Sequence, residues 1–396
     1  MSFVEKYLNR YVRFPSFIKE ECKKADIIVV IPCFKEVYLS DTIDSLLQCR
    51  KPKGNVEVIV VINEPDNVTT EAHNQNVRTA ESIIIWKKQH PDAFFKLFAI
   101  CPQPFPKKHA GAGLARKTGM DEAVRRFGQA DNSDGIIISL DADTLVAPNY
   151  FTETENLFHN NSHYVGTTIA FHHRINELSD ENQRQGILFY EKYLTYYKNA
   201  MAYAGYPNAI YTIGSAFAVK VYAYIKQGGM NNRQAGEDFY FLHKLAQFGP
   251  LAELNTTCVF PSARVSDRVP FGTGFAMKKW QSGDYNLLNT YNFCAFRDLK
   301  DFFSLIPDFY KIKSPDPENM GVAKSLCSFL DKEKFYESLE EIKKNISTPF
   351  AFQKRFFRFF NAFRILKFLN FSHETYYDFQ SLEDAIKEEQ RTHNDE

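Results

Sequence analysis

Four short apolar runs mark the first 140 positions: IIVVI at 27–31, VEVIVVI at 56–62, FFKLFAI at 94–100 and GIIISL at 135–140. Runs this short and this rich in Ile and Val predict strands buried on both faces of a parallel sheet. Between them the apolar positions fall at helical spacing. Residues 37–49 bring Leu39, Ile43, Leu46 and Leu47 to one face, 68–89 form a second helix, and 111–127 open a third after a glycine-bearing turn. Regular alternation of strand and helix predicts an α/β fold, a mostly parallel sheet flanked by helices in the Rossmann-like manner. Ligands of such sheets sit beyond the carboxyl ends of the strands, so the residues after Ile31, Ile62 and Leu140 are the ones to inspect.

Beyond about residue 160 the regularity loosens. Residues 164–173 and 211–219 predict strands, 178–204 a long Tyr-rich helix, 236–248 another helix, and 262–275 a polar, Gly-rich loop. After about 295 strand signals vanish and the pattern is helical. The expected organisation is an N-terminal helix within 1–25 (amphipathic over 3–24), an α/β domain over 26–275, a helical region over 276–385 and a disordered tail over 386–396.

Residues 350–371 (FAFQKRFFRFFNAFRILKFLNF) are aromatic, basic and long. Arg355, Arg358, Asn361, Arg364, Lys367 and Asn370 recur at every third position, so on one continuous helix they wind around the whole circumference. A helix lying in a membrane interface needs one polar face. The pattern favours a docked helix packing its Phe side chains. Peripheral membrane contact is the lesser alternative, strengthened if the helix breaks near Asn361.

Composition narrows the class. Lys+Arg and Asp+Glu are both 48, a formal net charge of zero, so no basic field gathers nucleic acid. The cysteines are scattered without a C-x-x-C pair, which suggests neither a zinc knuckle nor a disulfide framework and fits a reducing compartment. The N-terminus lacks a signal-peptide apolar core, so a cytoplasmic location is expected, with contact at the inner membrane face as the alternative.

The chemistry concentrates in four places. Asp141-Ala-Asp143 follows the fourth strand; in an extended segment both carboxylates project to one side, where Mg²⁺ or Mn²⁺ takes one or two such oxygens beside phosphate. A solvated acidic turn is the competing reading. KKHAGAGLAR at 107–116 is a basic, glycine-bearing approach to a helix; Gly111 and Gly113 admit a ligand close to backbone, and Arg116, in the first turn, reaches a phosphate or ribose. A plain helix-start turn explains it equally well. Glu237-Asp238 opens the helix at 236–248, and its N-terminus is expected to keep a carboxylate ionised for work as a base; capping is the alternative. Arg264 and Arg268, in the 262–275 loop, suit a departing diphosphate, or an ordinary surface loop.

In this order the pieces resemble family 2 glycosyltransferases over about 26–275. The segment Ile31-Pro32-Cys-Phe-Lys-Glu36 resembles the family's opening strand, Gly111-x-Gly-x-x-Arg116 its donor loop, Asp141/Asp143 its D-x-D, and Gly228-Gly229 through Glu237-Asp238 its G-G…E-D block. The resemblance implies a GT-A fold over 26–275 and a hexosyltransferase using a UDP- or GDP-sugar donor. The acceptor would be a glycan, a lipid-linked or a small-molecule hydroxyl in polysaccharide or glycoconjugate synthesis. Pro32, Phe34 and Glu36 would line the nucleotide site, and Asp141 would approach ribose or metal. Asp143 would ligate Mn²⁺ or Mg²⁺, and Asp238, with Glu237 beside it, would be the base of an inverting displacement.

Two departures stand out. Asn63-Glu-Pro-Asp66 replaces the usual acidic pair after the second strand, so Asn63 would read the base. No His offers itself as a third metal ligand; Ser266 and Asp267 are stand-ins. A nucleotidyltransferase is the alternative enzyme, but residues 32–36 lack its glycines. A non-catalytic sugar-nucleotide-binding relative is the alternative from another class.

Overall fold

The two longest β-branched runs form the centre of the parallel part of the sheet. In the computed structural model, which describes residues 2–395 apart from 232–235, 266–271, 314 and 345, β1 (Ile27–Cys33) and β2 (Val56–Ile62) are buried at every position. They pair in parallel, Ile27 opposite Val56 through Cys33 opposite Ile62. β3 (Phe95–Ile100) adds to β2 and β4 (Ile136–Ser139) to β1, both parallel, as the alternation with helices predicts.

The remaining strands change direction. β5 (Leu145–Val146), β6 (Gly166–Phe171), β7 (Phe217–Lys220) and β8 (Leu251–Phe260) complete an eight-stranded sheet of order β3-β2-β1-β4-β7-β6-β8-β5. β7 runs antiparallel to both β4 and β6, β8 is parallel to β6, and β5 is antiparallel to β8. β8 is not predicted from the sequence. Its run LAELNTTCVF alternates only in part, and its register against β6 shifts between Ile169 and Ala170.

The helix Ala112–Gln129 packs on β1 and β2, and it is unusual in what it buries. Glu57, the second residue of β2 and 1% exposed, is bound by the Arg126 guanidinium (NH2 to Oε1 2.6 Å), which also lies 4.6 Å from the centre of the Phe98 ring. Arg125 donates to the carbonyls of Phe14 and Pro15, Arg126 to that of Glu20, and Glu122 accepts from the Ile18 amide. These side chains supply the hydrogen bonds that the backbone of 14–20 would otherwise find in a helix. The helix expected over 3–24 accordingly spans only Phe3–Tyr11, stopping short of Pro15, whose ring cannot continue a helix's bonding.

The chain divides into two units, residues 1–178 with 212–275, and residues 179–211 with 276–396. The division expected at 275/276 therefore lacks one segment: the long helix Glu181–Tyr203 belongs with the C-terminal helices. The expected disordered tail is instead the end of the helix Leu382–Asp395, tied down by buried Leu382, Ala385 and Glu389.

The second unit has a phenylalanine core. Phe302 lies 5.3–5.8 Å, ring centre to ring centre, from Phe309, Phe335, Phe356 and Phe360. Residues 350–371 are two helices, Pro349–Phe359 and Ala362–Thr375, with Phe352, Phe356, Phe357, Phe360 and Phe368 buried. The break falls where Asn361 caps the second helix, its side chain accepting from the Arg364 amide at 3.1 Å. Arg364 closes the corner by donating to the Phe359 carbonyl at 2.7 Å and to Glu333 at 3.1 Å. Among the described residues no helix is long and apolar enough to cross a membrane.

Candidate active site

The site is built at the carboxyl ends of β1, β2 and β4. After β1 the chain turns through Lys35 in the left-handed region (φ 48°), and its amide donates to Asn76 Oδ1 at 2.9 Å. Glu36 follows, 1% exposed. Its Oε1 accepts from the amides of Val37 (2.9 Å) and Tyr38 (3.0 Å) and from Arg264 NH1 (3.0 Å). Arg264 NH2 bonds to the other oxygen of Glu36 and to Asp143 Oδ2 at 2.7 Å, while its guanidinium lies 5.1 Å from the centre of the Tyr38 ring. One arginine thus ties the end of β1 to the turn after β4.

A second arginine ties that turn to the Glu237 helix. Arg116, 2% exposed, donates through NH2 to Asp141 Oδ1 at 2.6 Å and through NH1 to Glu237 Oε1. It is the fifth residue of Ala112–Gln129 and so begins the second turn, where the sequence reading put it in the first. Space for the guanidinium comes from Gly214, where a Cβ would stand 2.7 Å from Arg116 NH2. Ser139, at the end of β4, donates to the Gly214 carbonyl at 2.6 Å and fixes that approach. Gly214 is a site residue that sequence reasoning passed over; its signal was a glycine inside the strand-like run 211–219.

Asp141 and Asp143 do not continue the strand. The Thr144 amide bonds to the Asp141 carbonyl at 3.2 Å, so the two acids occupy a turn, each engaged by a different arginine. Extended alternation is not what brings them near one another; the turn is. Arg174 supports it by donating to the Asp143 carbonyl at 2.9 Å.

Glu237 is buried and Asp238 half-buried at the first turn of Glu237–Phe248. Burial, with neighbouring Glu237 next in effect, pushes the Asp238 carboxyl up to about 7, against the opposing pull of Arg116. Burial likewise raises Glu237, opposed by Arg116. The helix N-terminus, expected to keep a carboxylate here ionised, is opposed by desolvation and a like charge, which act against it and the 2.7 Å bond from the Phe239 amide.

The other candidates lie around this centre. Pro32 is buried within β1 opposite Val61, and Phe34 is half-buried in the turn that follows. Asn63 is 4% exposed at the end of β2, its carbonyl taken by Asn76 Nδ2 at 3.1 Å. Asn76 also reaches Glu64 at 3.3 Å, so this one amide links the ends of β1 and β2, a role its place within a helix hides in the sequence. Gly111 is the N-cap of the Arg116 helix and Gly113 lies in its first turn. Arg268, Ser266 and Asp267 lie outside the described residues. Among the described residues no cluster of three or more His, Cys, Asp and Glu forms a metal site.

The family model for glycosyltransferase-like family 2 matches residues 25–249, more than half of the chain. The chain belongs to this family. The protein is a glycosyltransferase, and its sheet is mostly parallel with flanking helices. It is similar to the crystal structure of S. aureus TarS 1-349 in complex with UDP-GlcNAc, at 12% identity and TM-score 0.44, covering 80% of this chain and 90% of that one. It is also similar to the mannosyltransferase PcManGT from Pyrobaculum calidifontis in complex with GDP-Man and Mn²⁺, at 14% identity and TM-score 0.40, covering 93% and 92%. No curated protein matches the glycosyltransferase.

Proposed function

We propose that the glycosyltransferase moves a sugar from a nucleoside-diphosphate sugar to an acceptor hydroxyl by inverting displacement, with Asp238 as general base. The observation that carries this reading is the joining of Asp141, Asp143, Glu36 and Glu237 through Arg116 and Arg264, with Asp238 beside Glu237. A carboxyl near 7 suits a base at neutral pH, because enough is ionised while the affinity for a proton stays high. The Asp238 carboxylate takes the acceptor hydroxyl proton. The acceptor oxygen then bonds to the anomeric carbon as the bond from that carbon to the diphosphate oxygen breaks. Arg116 and Arg264 offset charge on the departing diphosphate. Phe34, Glu36, Asn63, Gly111 and Gly113 bind the nucleotide, over buried Pro32.

The donor set fits a divalent cation. Asp141 and Asp143 offer hard carboxylate oxygens from one turn, and Mg²⁺ or Mn²⁺ takes only one or two of these beside phosphate. Asp143, with Asp141, would hold the ion, which supplies Lewis-acid charge to the diphosphate when bound.

Titration calorimetry with UDP- and GDP-sugars, with and without Mn²⁺, tests the donor half. Asp143→Ala is expected to lose the Mn²⁺-dependent binding, and unchanged affinity rejects the ligand assignment. Asp238→Asn is expected to bind donor normally and to transfer about 10²–10⁴-fold more slowly. Turnover near the wild-type rate would move the base elsewhere.

A further inference from the structure

The helix that carries Arg116 buries a second charged cluster the reaction does not use. Lys117 Nζ donates to Asp121 Oδ2 at 2.8 Å, and Asp121 Oδ1 accepts from the hydroxyls of Tyr7 (2.6 Å) and Tyr224 (3.0 Å). All four side chains are buried: Tyr7 is 2% exposed, Lys117 6%, Asp121 4% and Tyr224 0%. Burying an ion pair recovers little net stability over apolar packing of the same volume, so stability alone is a weak reason to keep one here.

What the cluster touches is more informative. Its two hydroxyls press on the backbone of Gly229, where a Cβ would stand 2.1 Å from Tyr7 Oη and 3.2 Å from Tyr224 Oη. The neighbouring Gly228 packs on Tyr11, 3.2 Å from a Cβ to the ring edge. Gly228 and Gly229, at φ 78° and 74°, close the helix Val221–Lys226 through amide bonds of 2.9 Å to the carbonyls of Ile225 and Tyr224. The Met230 backbone then bonds to the Tyr224 hydroxyl. From here the chain runs to Glu237, which Arg116 binds. One helix therefore meets Gly229 through Asp121 and the two tyrosines it holds, and binds Glu237 through Arg116, the two residues lying about 7–8 Å apart along its axis.

We propose that Asp121, acting through Tyr7 and Tyr224, positions the Gly228-Gly229 turn and thereby sets where Glu237 and Asp238 stand, making the N-terminal helix Phe3–Tyr11 part of the catalytic frame. The inference rests on the reading of Asp238 as the base. These are positioning residues: none of them touches the reacting atoms, and they act from the Gly228-Gly229 turn, which precedes Glu237 in the chain.

Tyr7→Phe and Tyr224→Phe each remove one hydroxyl and keep the ring. Thr154→Ala, on the helix Tyr150–Asn160, removes another buried hydroxyl, one that bonds to the Tyr150 carbonyl at 2.8 Å, away from this segment. The measurements are Tm, kcat, donor KM and amide hydrogen exchange of peptides covering 228–240. Both tyrosine variants are expected to lower kcat about tenfold with donor KM within about twofold, since small misplacements of a catalytic group cost this much or more. Exchange in 228–240 is expected to accelerate about tenfold in both. Thr154→Ala is expected to keep kcat within about twofold and to leave that exchange unchanged. Wild-type kcat and exchange in the tyrosine variants overturn the proposal, as does an equal fall of kcat in Thr154→Ala. Should the wild-type chain transfer sugar from no donor, it is the functional reading that fails. Exchange then decides the positioning claim alone, acceleration supporting it and no change overturning it.

Discussion

The helix Ala112–Gln129 and the helix Pro349–Phe359 both bury bulky side chains, by opposite means. Beside the apolar residues that pack on β1 and β2, the first buries Arg116, Lys117, Asp121, Glu122 and Arg126, each paired with an opposite charge. The second buries Phe352, Phe356 and Phe357 among other rings, with Phe356 stacked at 6.2 Å on Phe309 and on Phe360. Aromatic packing is non-directional enough to survive modest change of shape. A buried ion network is all or nothing, because removing one member strands another charge in low dielectric. The functional helix is held by the costlier interaction, and its geometry is correspondingly fixed: Asp141 and Glu237 have one shared position for Arg116.

The sharpest way to break this comparison is Arg116→Met, which keeps the bulk and removes the charge. Asp141 and Glu237 lose their shared partner, so a loss of about 3–5 kcal/mol in urea unfolding is expected, together with transfer activity falling by more than about 100-fold. A variant that unfolds like wild type would show the charges to be dispensable. In the aromatic region, Phe302→Ala is expected to cost a similar 3–5 kcal/mol through its cavity, but Phe302→Leu only about 1–1.5 kcal/mol. That graded response is what Arg116 should lack.

The smallest effect separates the regions by pH. Asp238, near 7 when folded against about 3.9 unfolded, holds its proton more tightly in the native state. The stability this contributes is complete below the unfolded value and is lost as pH rises through about 7. Asp238→Asn should therefore gain Tm over wild type at pH 8.5 and much less at pH 5, a difference that Phe302→Leu should not show. An Asp238→Asn advantage that is flat between those pH values would contradict the raised pKa.

Legibility followed range. The runs at 27–31, 56–62 and 135–140 name their strands because both faces are buried, and Glu36, Asp141, Asp143 and Glu237 stand out by falling just beyond such runs or at a helix start. β8 was illegible because half of it meets solvent and its register against β6 is broken. The break at Asn361 was visible only as the circumstance that would strengthen membrane contact, since the cap that makes it depends on the Asn361 side chain meeting the Arg364 amide. Asn76 carried no local mark and Gly214 only the weak one of a glycine in a strand-like run, for each matters through a partner far along the chain: Arg116 for Gly214, the amide of Lys35 for Asn76.

The sequence by itself determined the alternating α/β plan, the family, and the acidic and basic residues available to a site. Only tertiary structure decided which arginine meets which acid, that burial beside Glu237 pushes the Asp238 carboxyl upward, and that an N-terminal tyrosine leans on the Gly228-Gly229 turn. The reason is physical. Periodicity and turn chemistry act over a few residues, whereas desolvation and ion pairing also depend on neighbours the chain supplies from far away, 25 positions for Arg116 with Asp141 and 228 for Arg264 with Glu36.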